Sequence, residues 1–253
     1  MNTAPSSGEA RFNLDGPVAT VTLCRPQVLN AQTPELWADL RAFGRSLTGE
    51  IRVVIVRGEG RAFSAGLDTS AATAMLGKLA SAEQAAADAR IAGFQEAFSW
   101  LRQPSLISIA AVQGHAIGGG FQLALACDFR VAAQDASFSM AEIKLGLVPD
   151  LGGTKRLVEL VGYARALELC VTGRRVLSAE AAQIGLANIV VPGAELDAAV
   201  RDLTGAVLAG PRDAVVEIKA LLAQAALHTF AEQEASERSA QIRRIRDLAG
   251  LGE

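Results

Sequence analysis

The groups in this chain best suited to holding an anion are a set of backbone amides. The amides belong to two glycine-bearing loops. One is 63-FSAGLD-68; the other lies in 111-AVQGHAIGGGFQLALACDF-129, where Gly118, Gly119 and Gly120 stand together before an apolar helical segment. Glycine costs a helix or strand roughly 0.5–1 kcal/mol per position relative to alanine, so three in a row call for a reason. A helix N-terminus leaves its first amides unpaired and carries about half a positive charge. Gly119 can therefore offer an N–H to a developing negative charge, and a second N–H from the 66–67 turn would complete an oxyanion hole. On the residues alone, an ordinary glycine-rich strand-to-helix turn explains the same run. The loop lacks the Lys-Ser/Thr of a phosphate-binding loop, and its spacing does not match the dinucleotide fingerprint.

These groups need a scaffold, and the pattern predicts a mixed α/β one. Residues 18-VATVTLC-24, 51-IRVVIVRG-58 and 105-SLISIAAVQG-114 read as strands, and each of the two glycine loops follows one of them. Thr33-Pro34 opens a helix whose apolar face is Leu36, Leu40, Phe43 and Leu47. The alanine-rich run from Thr69 to Trp100 reads as mostly helical. Short strands are expected at 129–133, 137–140 and 188–191, and helices at 155–171, 178–186, 194–209, 211–227 and 229–249. Strands crowd the first part of the chain, which predicts a core over residues 1–190 and a helical C-terminal region over 191–253 for oligomerisation or as a lid.

Half of the 253 residues are hydrophobic and 20% are charged, a composition that excludes disorder and supports a sizeable core. The net charge of −3 argues against a nucleic-acid surface. No apolar run approaches the ~20 residues that span a bilayer. The opening MNTAPSSGEARF has neither a basic nor an apolar leader region, so a cytoplasmic protein is expected. Cys24, Cys127 and Cys170 lie far apart and predict reduced, buried thiols. Two histidines and no clustered acids predict no metal site. His115 with Ser108 has no triad spacing, so a peptidase would lack its catalytic set; His228 reads as a surface residue.

Five stretches in order carry a resemblance: 25-RPQVLNA-31, 61-RAFSAGLD-68, 111-AVQGHAIGGGFQLALACDFRVAA-133, 137-SFSMAEIKLGLVPDLGGTKRL-157 and 172-TGRRVLSAEAAQIGLANIVV-191. From about residue 12 to about 230 the chain resembles the enoyl-CoA hydratase/isomerase (crotonase) superfamily. The resemblance implies a spiral of ββα units with a helical C-terminal extension, usually assembled as a homotrimer or a dimer of trimers. It implies an acyl-CoA thioester substrate, with CoA part of that substrate and no separate cofactor. By position, the oxyanion donors become the N–H groups of Leu67 and Gly119. Arg25 and Arg61 fall near the CoA phosphates, the Ala65 carbonyl at the adenine and Val28 along the CoA path; Gly66, Asp68, Gly118 and Gln122 complete the expected substrate contacts.

Hydratases of this superfamily use two glutamates, and this chain has Gln122 at the first position and Glu142 at the second. An amide can orient a water but cannot exchange a proton at neutral pH. One glutamate suits the shuttling of a single proton, as in a Δ3,Δ2-enoyl-CoA isomerase, with Asp150 at the place of a second proton carrier in some isomerases. A hydratase is the alternative, and a non-catalytic acyl-CoA-binding subunit is the alternative of another class. Met75, Leu76, Leu79, Phe94, Phe98 and Trp100 are candidates for either an acyl pocket or helical core. Tyr163, the one tyrosine, opens a helix, and the segment from Ser236 to Glu253 lacks the superfamily's usual CoA-closing ending.

Overall fold

The computed structural model describes residues 7–252; residues 1–6 of the stretch read above as free of a leader, and Glu253, lie outside the described residues. The chain opens with an antiparallel hairpin of β1 (Ala10–Asp15) and β2 (Val18–Leu23). Along β2 the burial alternates, with Ala19, Val21 and Leu23 inward, as a half-buried strand requires. Thr33 caps α1 (Pro34–Ser46) by accepting the Leu36 N–H, and Pro34 occupies the first turn, where no N–H is needed. Then come β3 (Val53–Gly58), α2 (Thr69–Ala80), α3 (Gln84–Ser99), β4 (Ile107–Val112), β5 (His115–Ile117), α4 (Gly119–Ala126), β6 (Phe129–Ala133) and β7 (Ser137–Ser139). The remainder is α5 (Gly153–Val161), α6 (Tyr163–Thr172), β8 (Val176–Leu177), α7 (Ser178–Gln183), β9 (Ile189–Val191), α8 (Leu196–Ala209), α9 (Arg212–Ala225) and α10 (Phe230–Leu248).

The main sheet runs β1-β2-β3-β4-β6-β9, and every pairing after the first hairpin is parallel. All six residues of β4 are buried, because side chains cover both faces of this central strand. On one face a core of Val21, Val54, Val56 and Ala110 meets α1, α3 and α4; on the other, Val53, Ile109 and Val131 meet Leu196 and Val200 of α8. Since β3 and β4 are parallel, the chain leaves both at the same edge, where ligand sites of parallel sheets form. The second sheet, β5-β7-β8, stands at that edge and carries the segments around both glycine loops.

The run from Thr69 to Trp100 is mostly helical, as expected, in two helices interrupted over 81–83, where the Ser81 N–H and hydroxyl both turn back to the Gly77 carbonyl. Several other expectations are corrected. The helix expected over 155–171 is also two, broken at Gly162, whose φ of 78° and ψ of 160° leave the helical region. The short strands β1, β5 and β8 were not anticipated. Only Cys127 is fully buried, with burial pushing its thiol up to about 12; Cys24 and Cys170 are half-buried, and all three are free thiols. His228 is half-buried rather than exposed. Phe98 and Trp100 belong to the core, where Phe98 lies edge-on to Trp37 and Trp100 edge-on to Phe43. No helix among the described residues is long and apolar enough to cross a membrane.

Arg130 on β6 is the largest fully buried side chain. Its guanidinium donates to the carbonyls of Leu186 (2.6 Å), Cys127 (2.7 Å) and Asp128 (3.2 Å), which joins the end of α4 to the segment before β9. Burial lowers its pKa to about 10, so it stays charged at neutral pH. Arg130→Met leaves these carbonyls without a donor and is expected to cost roughly 3–5 kcal/mol, read from the midpoint of urea unfolding. A loss below about 1 kcal/mol would mean that other donors reach them.

Candidate active site

The 63–68 loop is strapped in place from two sides. Asn30, itself left-handed at φ 55°, sends its side-chain amide to the carbonyls of Glu59 and Ala62, and the Ser64 hydroxyl bonds the Asn30 carbonyl. On the other side, Ser64 N–H donates to His115 and Ile117 N–H donates back to Ser64, both across to β5. The loop thereby touches the glycine run. Gly66 has φ 84°, and a Cβ there would meet the Ile117 carbonyl at 2.4 Å and the Gly119 nitrogen at 3.3 Å. Gly118 has φ 51° and ψ −121°, and a Cβ on it would sit 3.3 Å from the Glu142 carboxylate. Glycine is needed at both positions for backbone angle and for clearance.

Around this contact most amides are spoken for. Gly66 N–H goes to the Ser64 hydroxyl, Asp68 N–H to Gln32, and Gly118 N–H to Ser139. Among the described residues, the N–H groups of Leu67 and Gly119 have no acceptor. Gly119 is the first residue of α4, so its amide also lies at the positive end of the helix. Two unclaimed donors on abutting loops are what a developing oxyanion would use.

Glu142 begins a short 3-10 turn after β7, and Gln122 holds it from α4. The Gln122 amide nitrogen donates to Glu142 Oε1 at 2.7 Å, while its oxygen accepts from Leu151 N (2.9 Å) and Gly153 N (3.2 Å). Gln122 is buried, and both lone pairs of its oxygen are occupied. The other carboxylate oxygen, Glu142 Oε2, is buried without a partner. Burial raises the Glu142 pKa above the ordinary glutamate value; the hydrogen bonds work against this, and the charge of Asp150 adds to it. Asp150 is also raised by burial, and its carbonyl accepts from Gln95 on α3 at 2.7 Å. The result is a proton acceptor in a dry setting beside an anion-stabilising pair.

A model of the family described as enoyl-CoA hydratase/isomerase matches residues 14–247. The chain belongs to the enoyl-CoA hydratase/isomerase family. It is 38% identical over 184 residues to a Mycobacterium bovis protein described as an enoyl-CoA hydratase, covering 72% of this chain and 68% of that one. It is 42% identical over 196 residues to the carnitinyl-CoA dehydratase of Salmonella typhi, covering 75% and 70%. A Thermobifida fusca YX structure described as an enoyl-CoA hydratase in complex with CoA superposes with a TM-score of 0.90 at 45% identity and 98% coverage of both chains. The crotonase fold, with its helical C-terminal region, is therefore the fold of this chain.

Three of the expected substrate contacts are bonded within the protein. Arg25 is spent within the protein, bonding Asp68 Oδ2 at 2.8 Å and the Ala31 carbonyl at 2.9 Å, with Glu9 at 3.4 Å. Asp68 caps α2, accepting from the Ser70 N–H and hydroxyl, and these bonds together with Arg25 hold its pKa at about 2. The pair braces the turn that presents Leu67. Gln122 is likewise consumed by Glu142 and the 151–153 backbone. Arg61 is exposed and without an ion pair among the described residues, Val28 is 39% exposed, and Ala65 is half-buried with its N–H donating to Leu29. His115 bonds Ser137, whereas Ser108 bonds Asp128 and Leu101, so no triad assembles. No group of three His, Cys, Asp or Glu side chains among the described residues is arranged to hold a metal.

Gln122→Met removes a hydrogen bond that favours the charged carboxylate, so the Glu142 pKa should rise further. A ¹³C-NMR titration of the carboxyl carbons measures this. A Glu142 titration unmoved from wild type would show that Gln122 does not hold the carboxylate.

Proposed function

We propose that this chain isomerises an enoyl-CoA thioester, moving the double bond from C3 to C2 with Glu142 as the single proton carrier. The observation that carries the reading is that Gln122 is consumed by the protein, which leaves Glu142 as the carboxylate beside the two unclaimed amides. The thioester oxygen accepts from Leu67 and Gly119 N–H. Glu142 removes a proton from C2, and the electron pair of that C–H bond passes into the thioester as the enolate. As C2=C3 forms, the electrons of C3=C4 take the proton back from Glu142 at C4. Atoms and electrons balance within the substrate, so the reaction needs no cofactor beyond the CoA that the substrate carries. The raised pKa of Glu142 suits a base that must then act as an acid. For a dienoyl-CoA substrate, Asp150, half-buried and electrostatically linked to Glu142, is the candidate second proton carrier.

The CoA bound to the Thermobifida relative supports a CoA ester as the ligand, with Arg61, Val28 and Ala65 as the surface toward its nucleotide end. Self-association is part of the same proposal. Leu222, Leu227, Phe230 and Leu248 on or between the C-terminal helices are each at least 70% exposed, apolar surface that a homotrimer would cover. Hydration or dehydration of an enoyl-CoA is the second reading, favoured by the names of the Mycobacterium and Salmonella relatives.

Separate incubations with trans-3- and trans-2-enoyl-CoAs of several lengths, followed by mass, distinguish these readings. The expected outcome is a conjugated 2-enoyl product at constant mass. A gain of one water from the 2-enoyl substrate would establish hydration instead, and bound but unconverted thioesters would leave a binding subunit. Glu142→Gln should lower kcat by about 10²–10⁴. The rate should fall as pH drops through a pKa above the usual ~4.3 of glutamate, because the ionised form is the base. Stability runs the other way. A carboxyl with a raised folded pKa stabilises fully below its unfolded pKa and loses that contribution as pH rises through the folded one. Glu142→Gln should therefore be at least as stable as wild type at neutral pH, as thermal melting would show.

A further inference from the structure

Four buried side-chain atoms lack a hydrogen-bond partner among the described residues, and two of them flank the glycine run: Glu142 Oε2, an acceptor, and Gln32 Nε2, a donor. Gln32 is completely buried. Its Oε1 accepts the Trp37 indole N–H at 3.0 Å. An indole N–H can only donate, so this bond identifies the oxygen end of the amide and leaves Nε2 as a donor. A leucine here would fill similar space without stranding a polar group.

The position of Gln32 shows what the donor is for. Its main chain brackets Leu67: its N–H donates to the Gly66 carbonyl at 2.7 Å and its carbonyl accepts the Asp68 N–H at 2.8 Å. Its side chain lies against Gly119, where an added Cβ would come within 2.9 Å of Oε1 and 3.7 Å of Cδ. One residue thus adjoins both peptide groups whose amides are unclaimed.

We propose that Gln32 Nε2 is a third hydrogen-bond donor of this site, meeting the thioester oxygen as it takes up charge. The inference rests on the reading of the site as an acyl-CoA enolate pocket, whichever reaction follows. An amide donor does not titrate, so its contribution is independent of pH. Trp37 acts as a positioning residue: its indole N–H engages the amide oxygen and leaves Nε2 as the free end of the amide.

The test uses acetoacetyl-CoA, a thioester whose enolate absorbs in the near ultraviolet and needs no turnover to be seen. Wild type, Gln32→Met, Gln32→Glu and Trp37→Phe are titrated and their enolate bands and affinities compared, with thermal melting as the check on folding. Gln32→Glu keeps an acceptor for Trp37 but removes the donor, so it decides the matter if Gln32→Met does not fold. The expected result is at least a tenfold weaker enolate complex for both Gln32 variants, with kcat falling more than KM changes, and a smaller loss for Trp37→Phe, which keeps the donor but frees the amide to turn. Gln32 variants that keep the wild-type band overturn the proposal, as does a Trp37→Phe variant that loses as much, which would make Gln32 a brace. A wild-type protein that binds no thioester overturns this proposal and the functional reading together. A wild-type enolate band that depends on Gln32, without conversion of any enoyl-CoA, overturns only the functional reading.

Discussion

One buried amide, Gln122, carries the constraint on which the site depends. Its nitrogen holds the Glu142 carboxylate, and its oxygen holds two backbone amides of the 151–153 segment, so α4, the turn after β7 and the start of α5 are locked to one another. A glutamate in its place could keep those two amides but would set a second negative charge against Glu142. The amide therefore does two things at once. It supplies a donor that offsets part of the burial penalty on Glu142, and it removes a second titratable group from the pocket. The surviving carboxylate has one oxygen held and the other unpartnered beside Gly118.

The parallel sheet explains why the pieces meet. Because β3 and β4 run side by side in the same direction, the loops that leave them emerge together, and the small second sheet fastens both at that edge. Gly66 and Gly118 permit an approach that a side chain would block. The brace from Arg25 to Asp68 and the cap on α2 hold the far side of the first loop, and Asn30 holds the near side. The Leu67 and Gly119 amides stay unclaimed because their neighbours take the available acceptors. The site is thus already organised before any substrate arrives, which is where electrostatic stabilisation of an anion is most effective.

What was legible in the sequence follows the range of the forces involved. The alternation of β2, the unbroken apolar run of β4 and the capped α1 are local signals, and they read true because burial and capping act over neighbouring residues. The strands β5 and β8 hold three and two residues, too few to show any period, and exist only through pairing with β7. The break at Gly162 was hidden because both flanks have helical composition. At the site, the cost of consecutive glycines pointed to Gly119, and the motif order pointed to Leu67 and Glu142; the geometry brings all three together. Arg25 pairs with a residue 43 positions away and Gln122 with backbone 29 and 31 positions away, distances that composition does not encode. Each had looked free to face a ligand, and each is used inside the protein. Gln32 was passed over because a glutamine before a helix cap reads as an ordinary loop residue until its burial is known.

The central claim is that the two unclaimed amides and Glu142 form a single enolate-generating site. The most direct measurement is hydrogen–deuterium exchange at C2 of a saturated acyl-CoA in D2O, followed by NMR. Such a substrate can neither isomerise nor add water, so exchange reports proton removal and enolate stabilisation alone. The account predicts deuterium at C2 with the wild-type protein and loss of exchange with Glu142→Gln. Exchange that persists without Glu142, or a wild-type protein that binds the thioester and exchanges nothing, would contradict it.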